Sequence, residues 1–291
     1  MPPNVRIGRA AVTPSPTGGD TSCDPTASYR PTGPLPSPGQ MPAGSTMARI
    51  LARGRLIAGV DQTMAPFGYR DALTGQIQGF DIDMVHQIAQ AIFGNPNKVE
   101  LRPLTAAERI PALQSGQVDI IADQLTQTCA RWQLVDFTTT YFTDWQRIMV
   151  DKGSGIGGVA DLAGKRVCAP SGTLSLQQVA LFPSHPTPVG VDNWTDCLVM
   201  LQQHQVDAIS TDDGILAGLV AQDPGTEMVG PGINEEPHGL AIAKQNVDFV
   251  RFVNAVLAQM RSDGAWRTAY NTWVEPYLGP GSTPPAALYR D

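Results

Sequence analysis

From Arg49 onward, short apolar runs alternate with amphipathic stretches, and this alternation limits the fold more than any other property of the chain. Leu56-Ile-Ala-Gly-Val60 has the length of a strand and carries no polar side chain. Gly79-Phe80-Asp81 opens a stretch in which Met84, Val85, Ile88, Ala89 and Ile92 recur every three or four residues, so one stripe of a helix is apolar and faces a sheet. Gly94 and Pro96 stop that helix. The pattern predicts a strand over 98–101, a helix over 106–115, and a strand over 118–122 whose Ile-Ile-Ala run suits burial on both faces. It resumes with a strand over 165–169, a helix over 194–204 and a strand over 206–210, then ends in an amphipathic helix over 247–260 and a shorter one through Trp273. Repeated βα units predict an α/β fold built on mainly parallel sheets flanked by helices. The two runs are separated by the Gly-rich stretch 152–158, which suggests two lobes, and 291 residues are enough for two domains with separate cores.

Residues 1–45 are different material. They are rich in Pro, Gly, Ser and Thr, as in Pro31-Thr-Gly-Pro-Leu-Pro-Ser-Pro-Gly39, and predict an extended tether that buries too little surface to offset its ordering entropy. The net charge of −7 argues against a nucleic-acid partner, which needs a basic face. No apolar run is long enough to span a bilayer. The start Met1-Pro2-Pro3-Asn4 has neither a cationic nor an apolar run, so export would require a targeting segment that this sequence does not carry. The four cysteines, Cys23, Cys129, Cys168 and Cys197, form no CxxC pair and lie near no histidine at ligand spacing, so neither a metal nor another cofactor is expected. An even count in a chain of low charge density fits disulfides in an oxidising compartment, with four free thiols as the alternative.

Several phrases in fixed order carry a resemblance. They are Ala65-Pro-Phe67-Gly-Tyr69, Gly79-Phe80-Asp81-Ile-Asp83, Glu108-Arg109-Ile-Pro111-Ala-Leu113, Thr126-Gln-Thr128-Cys-Ala-Arg131, Val135-Asp136-Phe137, Asp161-Leu-Ala-Gly164-Lys165, Ser171-Gly172-Thr173, Val206-Asp207-Ala208 and Asp263-Gly264-Ala-Trp266. Together they resemble the bacterial extracellular solute-binding proteins of family 3, which take up polar amino acids, and within it the actinobacterial glutamate/glutamine-binding lipoproteins. The resemblance implies a two-lobed periplasmic binding-protein type II fold. Its first lobe would comprise 46–142 plus 240–279, with a second lobe over 146–236 inserted in it and a tail over 280–291. A two-strand hinge would pass near Tyr141 and His238. It implies an extracytoplasmic, lipid-anchored, monomeric receptor that presents its closed form to a membrane permease or a membrane sensor.

A free L-amino acid is a zwitterion, so its site needs one fixed cation and one fixed anion. The resemblance assigns Arg131 to the α-carboxylate, which suits a planar guanidinium, with the Thr126 hydroxyl beside it. Gln124 would turn its carbonyl to the ammonium and Asp212 would hold that ammonium. Ser171, Gly172 and Thr173 would add backbone amides and a hydroxyl to the carboxylate from the second lobe. Phe80 and Met64 would flank the ligand's stem. Arg109 matches the position that meets a side-chain carboxylate, which favours glutamate or aspartate, because two desolvated arginines need two carboxylates. Asp61 matches an acid that accepts from a carboxamide, which favours glutamine or asparagine. As residues alone, Arg131 and Arg109 also fit surface arginines at helix ends, Asp212 or Asp213 fits an N-cap, and Phe80 fits the core.

Cysteines in these phrases of related receptors imply a Cys168–Cys197 bond between a strand end and the following helix. That leaves Cys129 for Cys23, a bond that would pin the tether to the body. The competing function is enzymatic, a cyclohexadienyl-dehydratase-like reaction on the same fold, for which Asp61, Glu235 and Glu236 are the candidate general acids. The chain is expected not to be an enzyme.

Overall fold

The computed structural model describes residues 23–291, so residues 1–22 of the expected tether lie outside the described residues. Lobe 1 is built on a five-stranded sheet in the order Val99–Pro103, Leu56–Val60, Ile120–Ile121, Ala241–Ile242, Asp136–Phe137. The first three strands run parallel, as βα units require, and Ala241–Ile242 is antiparallel to both of its neighbours. Side chains alternate along each strand. Leu56, Ala58 and Val60 face the helices Phe80–Phe93 and Val247–Asp263, while Ile57 faces the helix Arg109–Gln114 and Trp132. Both faces are therefore buried.

Lobe 2 repeats the plan with Thr187–Val191, Arg166–Pro170 and Ala208–Asp212 in parallel, followed by Phe142–Asp151 and Thr226–Val229 in antiparallel. The sheets are thus mixed: the parallel part is the one predicted, and returning strands add the antiparallel part. The connection between lobes is not the Gly-rich stretch 152–158. That stretch is a loop inside lobe 2, where the Lys152 amide donates to the Gly225 carbonyl at 2.9 Å. The chain crosses instead through Phe142–Asp151 and Glu235–His238, paired antiparallel with Phe142 opposite His238.

The lobes are closed on one another. Trp194 and Ile215 of lobe 2 are buried in the same apolar cluster as Met64, Phe67 and Phe80 of lobe 1. Arg131 Nη2 reaches the Gly172 carbonyl across the gap at 3.4 Å.

Residues 23–45, the described part of the expected extended tether, lie bound along lobe 1. Ala27–Ser28 pairs in parallel with Leu288–Tyr289, so the segment and the tail form one small sheet on lobe 1. Ser28 Oγ donates to the Phe137 carbonyl at 2.6 Å, and buried Asn254 donates to Ser28 Oγ at 2.8 Å and to the Tyr29 carbonyl at 2.7 Å. Tyr29, Leu35 and Met41 pack against the lobe's own core. A segment with no core of its own is ordered here by surface borrowed from a folded neighbour. Both disulfides are present: Cys23–Cys129 fastens this segment to lobe 1, and Cys168–Cys197 joins strand to helix within lobe 2.

Candidate functional site

The site lies between the lobes, beside the paired hinge strands. Arg131 sits on the short helix Cys129–Trp132, which Thr128 caps by accepting from the Arg131 amide at 3.2 Å. Its Nη1 donates to the Thr126 carbonyl at 2.8 Å, which aims the fork into the cleft. Burial and the neighbouring Arg109 charge lower its pKa to about 9, against the opposing pull of Glu236, Asp212 and Asp123. It is still a cation at neutral pH.

Asp212 ends the strand Ala208–Asp212 and stands at the cap position of the helix Asp213–Gln222 without a side-chain capping bond. Its carboxylate is left for something else. Oδ1 is buried without a hydrogen bond, and Oδ2 lies 3.8 Å from His238 Nε2. His238 is hydrogen-bonded to Asp144 at 2.7 Å, so the two hinge strands meet through a buried acid–imidazole pair. Glu236, fully buried, has no hydrogen bond of ordinary geometry on either oxygen, and Thr126, His238 and Arg131 lie near enough to favour its ionised form. Burial, compounded by the other carboxylates, drives Asp144 and Asp212 well above the ordinary carboxylate range, and burial raises Glu236. Three acids therefore share a dry corner with one imidazole. Neither Asp144 nor His238 stands out in the sequence as a site residue, each being one of several polar residues on its hinge strand, and Glu236 was expected only in the competing enzyme. Glu235, its other hinge candidate, is exposed.

At the other end Arg109 is buried at the start of its helix. Nε donates to the Ala106 carbonyl at 3.0 Å and Nη1 to the Asp123 carbonyl at 2.7 Å, while the Asp123 carboxylate lies 3.7 Å away. Arg109 is thus not a surface residue, and Asp123, which sequence analysis did not single out, faces its charge. Asp123 is fully buried, and neither carboxylate oxygen has a hydrogen bond; burial pushes its pKa far up despite Arg109. Asp61 lies close enough to feel Arg109 and accepts from the Thr63 amide and, at 2.8 Å, from the Thr63 hydroxyl. Burial raises it as well. An acid ending the apolar run Ile120-Ile121-Ala122 was the available signal for Asp123.

The remaining expected residues divide. Gln124 adopts a left-handed backbone with φ 39° and is held by Asp81, whose carboxylate accepts from the Gln124 amide at 3.0 Å and from the Tyr141 hydroxyl at 2.7 Å. Met64 is buried in the closed interface. Phe80 is enclosed by Phe67, Tyr141, Phe142 and Trp266, with ring centroids 5.7–6.3 Å away, so it shapes the floor as a core residue. The Ser171-Gly172-Thr173 turn offers less than expected. Ser171 N donates to the Val191 carbonyl at 2.8 Å and Thr173 N to the Pro170 carbonyl at 3.3 Å. The Thr173 hydroxyl is spent on capping Leu176 N at 3.1 Å and donating to Pro170 O at 2.7 Å. The turn and the neighbouring strand take two of its amides and the Thr173 hydroxyl, leaving the Gly172 amide and the Ser171 hydroxyl.

Asp144, Asp212 and His238 also lie at distances that a metal ion tolerates. The 2.7 Å Asp144–His238 bond uses the imidazole nitrogen such an ion would need, so the donor set does not favour one.

Residues 56–276 match the family described as bacterial extracellular solute-binding proteins, family 3. The chain is 33% identical over 231 residues to the ABC transporter glutamine-binding protein GlnH of Bacillus subtilis, a match spanning 79% of this chain and 85% of that one. In three dimensions it is similar to the cysteine-binding protein of Campylobacter jejuni, with TM-score 0.78, 28% identity and coverage of 82% of this chain and 96% of that one. It is also similar to the ancestral amino acid-binding protein AncCDT-1, titled a precursor of cyclohexadienyl dehydratase, with TM-score 0.73, 33% identity and coverage of 79% and 100%.

Proposed function

We propose a ligand and a role from the premise that this chain belongs to the bacterial extracellular solute-binding proteins, family 3. The protein closes around one free amino acid and holds it by its zwitterion. The observation that carries this is the opposition of the Arg131 guanidinium to buried carboxylate oxygens of Asp212 and Glu236 that have no hydrogen bond. An unpartnered buried acid is costly, and an ammonium arriving between Asp212, Glu236 and the Thr126 hydroxyl relieves that cost. The α-carboxylate takes the Arg131 fork and the Gly172 amide. Gln124 and Asp61 complete the polar wall, with Met64 beside the stem.

For the side chain we favour glutamine over glutamate or aspartate. Arg109 alone argues for a second carboxylate. Asp123 at 3.7 Å and Asp61 nearby already compete for the Arg109 charge, burial holding both above the ordinary carboxylate range, and a ligand carboxylate would add a third buried acid to that competition. A carboxamide fits such an end, accepting from Arg109 and donating to Asp61. The similarity to a protein named as glutamine-binding supports the same order. A membrane permease or sensor would read the closed form, and two disulfides suit an extracytoplasmic setting. Lipid anchoring and a monomeric working form complete the proposal.

The test is calorimetric titration of the purified protein with each of the twenty amino acids. Submillimolar binding of glutamine, weaker binding of glutamate and loss of both in Arg131→Ala would support it. Tighter binding of glutamate would overturn the choice of side chain, and no heat with any amino acid would overturn the receptor. One second reading has an observation behind it: Glu236, buried and with a raised pKa beside Arg131, has the form of a general acid. Incubation with a cyclohexadienyl amino acid, followed for loss of water and carbon dioxide, tests that reaction.

A further inference from the structure

The helix Asp213–Gln222 of lobe 2 contains Gly214 and Gly218, four residues apart and so on one face. Glycine inside a helix costs about 1 kcal/mol relative to alanine. Two on one face call for a compensating contact, and the closed molecule contains it. That face lies against the segment Ala65 to Phe67 of lobe 1. A β-carbon placed on Gly214 would sit 2.7 Å and 2.8 Å from atoms of the Phe67 ring. On Gly218 it would overlap the Ala65 carbonyl oxygen and lie 2.8 Å from the Ala65 carbonyl carbon. The two obstacles differ in kind: a ring can turn, whereas a backbone carbonyl held between packed elements cannot step aside. Gly172 makes a third such approach on the opposite rim, where a β-carbon would lie 2.7 Å from the Ala107 Cα.

We propose that Gly218 sets whether the cleft can shut: its missing side chain admits the Ala65 backbone, and any residue with a β-carbon there holds the lobes apart. Gly218 touches none of the groups assigned to the ligand, so its effect on binding passes entirely through closure. A ligand whose competent state is populated only in fraction f binds more weakly by that fraction. The same methyl group has the opposite effect on the open form, where it restores ordinary helix propensity and meets no obstacle. Gly218→Ala therefore separates two properties that most damaging substitutions lower together.

This inference rests on amino-acid capture by closure but not on which amino acid is captured. The experiment measures the radius of gyration by small-angle scattering, with and without an equimolar mixture of the twenty amino acids, for wild type and Gly218→Ala. Melting of both unliganded proteins is recorded alongside. The wild type should contract; the variant should not, should show at least tenfold weaker binding of the tightest amino acid, and should melt no lower than the wild type when empty. Contraction of the variant equal to that of the wild type overturns the inference. So does an empty variant that melts several degrees lower, because Gly218 would then serve the fold in both states. A wild type that fails to contract overturns amino-acid capture itself. Ala221→Ser, an exposed change on the same helix, should match the wild type throughout.

Discussion

The two ends of the cleft handle charge in opposite ways. At the hinge end, Asp212, Glu236 and Asp144 crowd around His238 with carboxylate oxygens left bare, and the nearest fixed cation, Arg131, points across the space. At the far end, Arg109 is bonded to two carbonyls and faces Asp123, with Asp61 beside it. At the hinge end the acids outnumber the cation and no arginine lies among them; at the far end each acid faces Arg109, although both Asp123 oxygens there also lack a hydrogen bond. The difference assigns the jobs. Charges left open recognise what all amino acids share, and an arginine already faced by acids distinguishes among their side chains.

Removing the cation of the open end should have the largest effect. Arg131→Ala deletes the carboxylate fork and leaves buried acids without any opposing charge, a loss of about 3–5 kcal/mol, or roughly a hundred- to several-thousand-fold in affinity by calorimetry. Asp212→Asn should follow, weakening binding by about 2–3 kcal/mol while raising the melting temperature of the empty protein as pH rises above the ordinary carboxylate range, because the amide cannot ionise where burial penalises the carboxylate. If that melting temperature falls instead, Asp212 is paired in the empty state and the contrast between the two ends is lost.

Asp123→Asn tests the far end. It frees the Arg109 charge, so the ratio of glutamate to glutamine affinity should rise by about tenfold, roughly 1.4 kcal/mol, in paired titrations. An unchanged ratio would mean that Asp123 does not govern Arg109. The smallest effect is on pH. The pKa values of Asp212, Asp144 and Glu236 are raised in the folded protein, so the unfolded chain loses these protons first and the empty protein loses stability as pH rises above the ordinary carboxylate range. Ammonium binding favours the ionised forms. Affinity should therefore strengthen by a few-fold per pH unit in the same window, with protons released on binding. Titration in buffers of different ionisation enthalpy measures that release, and proton uptake would contradict the assignment.

The fold was legible because its cores are periodic. Leu56, Ala58 and Val60 alternate with Ile57, and Met84, Val85, Ile88 and Ile92 keep helical spacing, so each face declares itself locally. The hinge pair was not legible in the same way. Asp144 and His238 are 94 residues apart, and each is an ordinary polar residue on its own strand until the other is opposite it. Asp123 was hidden by its position at the edge of an apolar run. Residues 27–41 misled for a different reason: composition reports whether a segment can fold alone, and this one takes its partners from Asn254 and Phe137. The turn at Ser171 to Thr173 was placed correctly in the chain, but counting its free donors required knowing which ones the turn itself uses.

The bond between Cys23 and Cys129 also decides where force enters the molecule. A pull on the chain ahead of residue 23 passes directly into the helix Cys129–Trp132, and the sheet formed with Leu288–Tyr289 spreads that load over lobe 1. None of it runs through Phe142–Asp151 or Glu235–His238. Held from this side, lobe 1 is the mount and lobe 2 the moving jaw. The energy of opening and closing is then set by the cleft and its occupant, apart from any load applied ahead of residue 23.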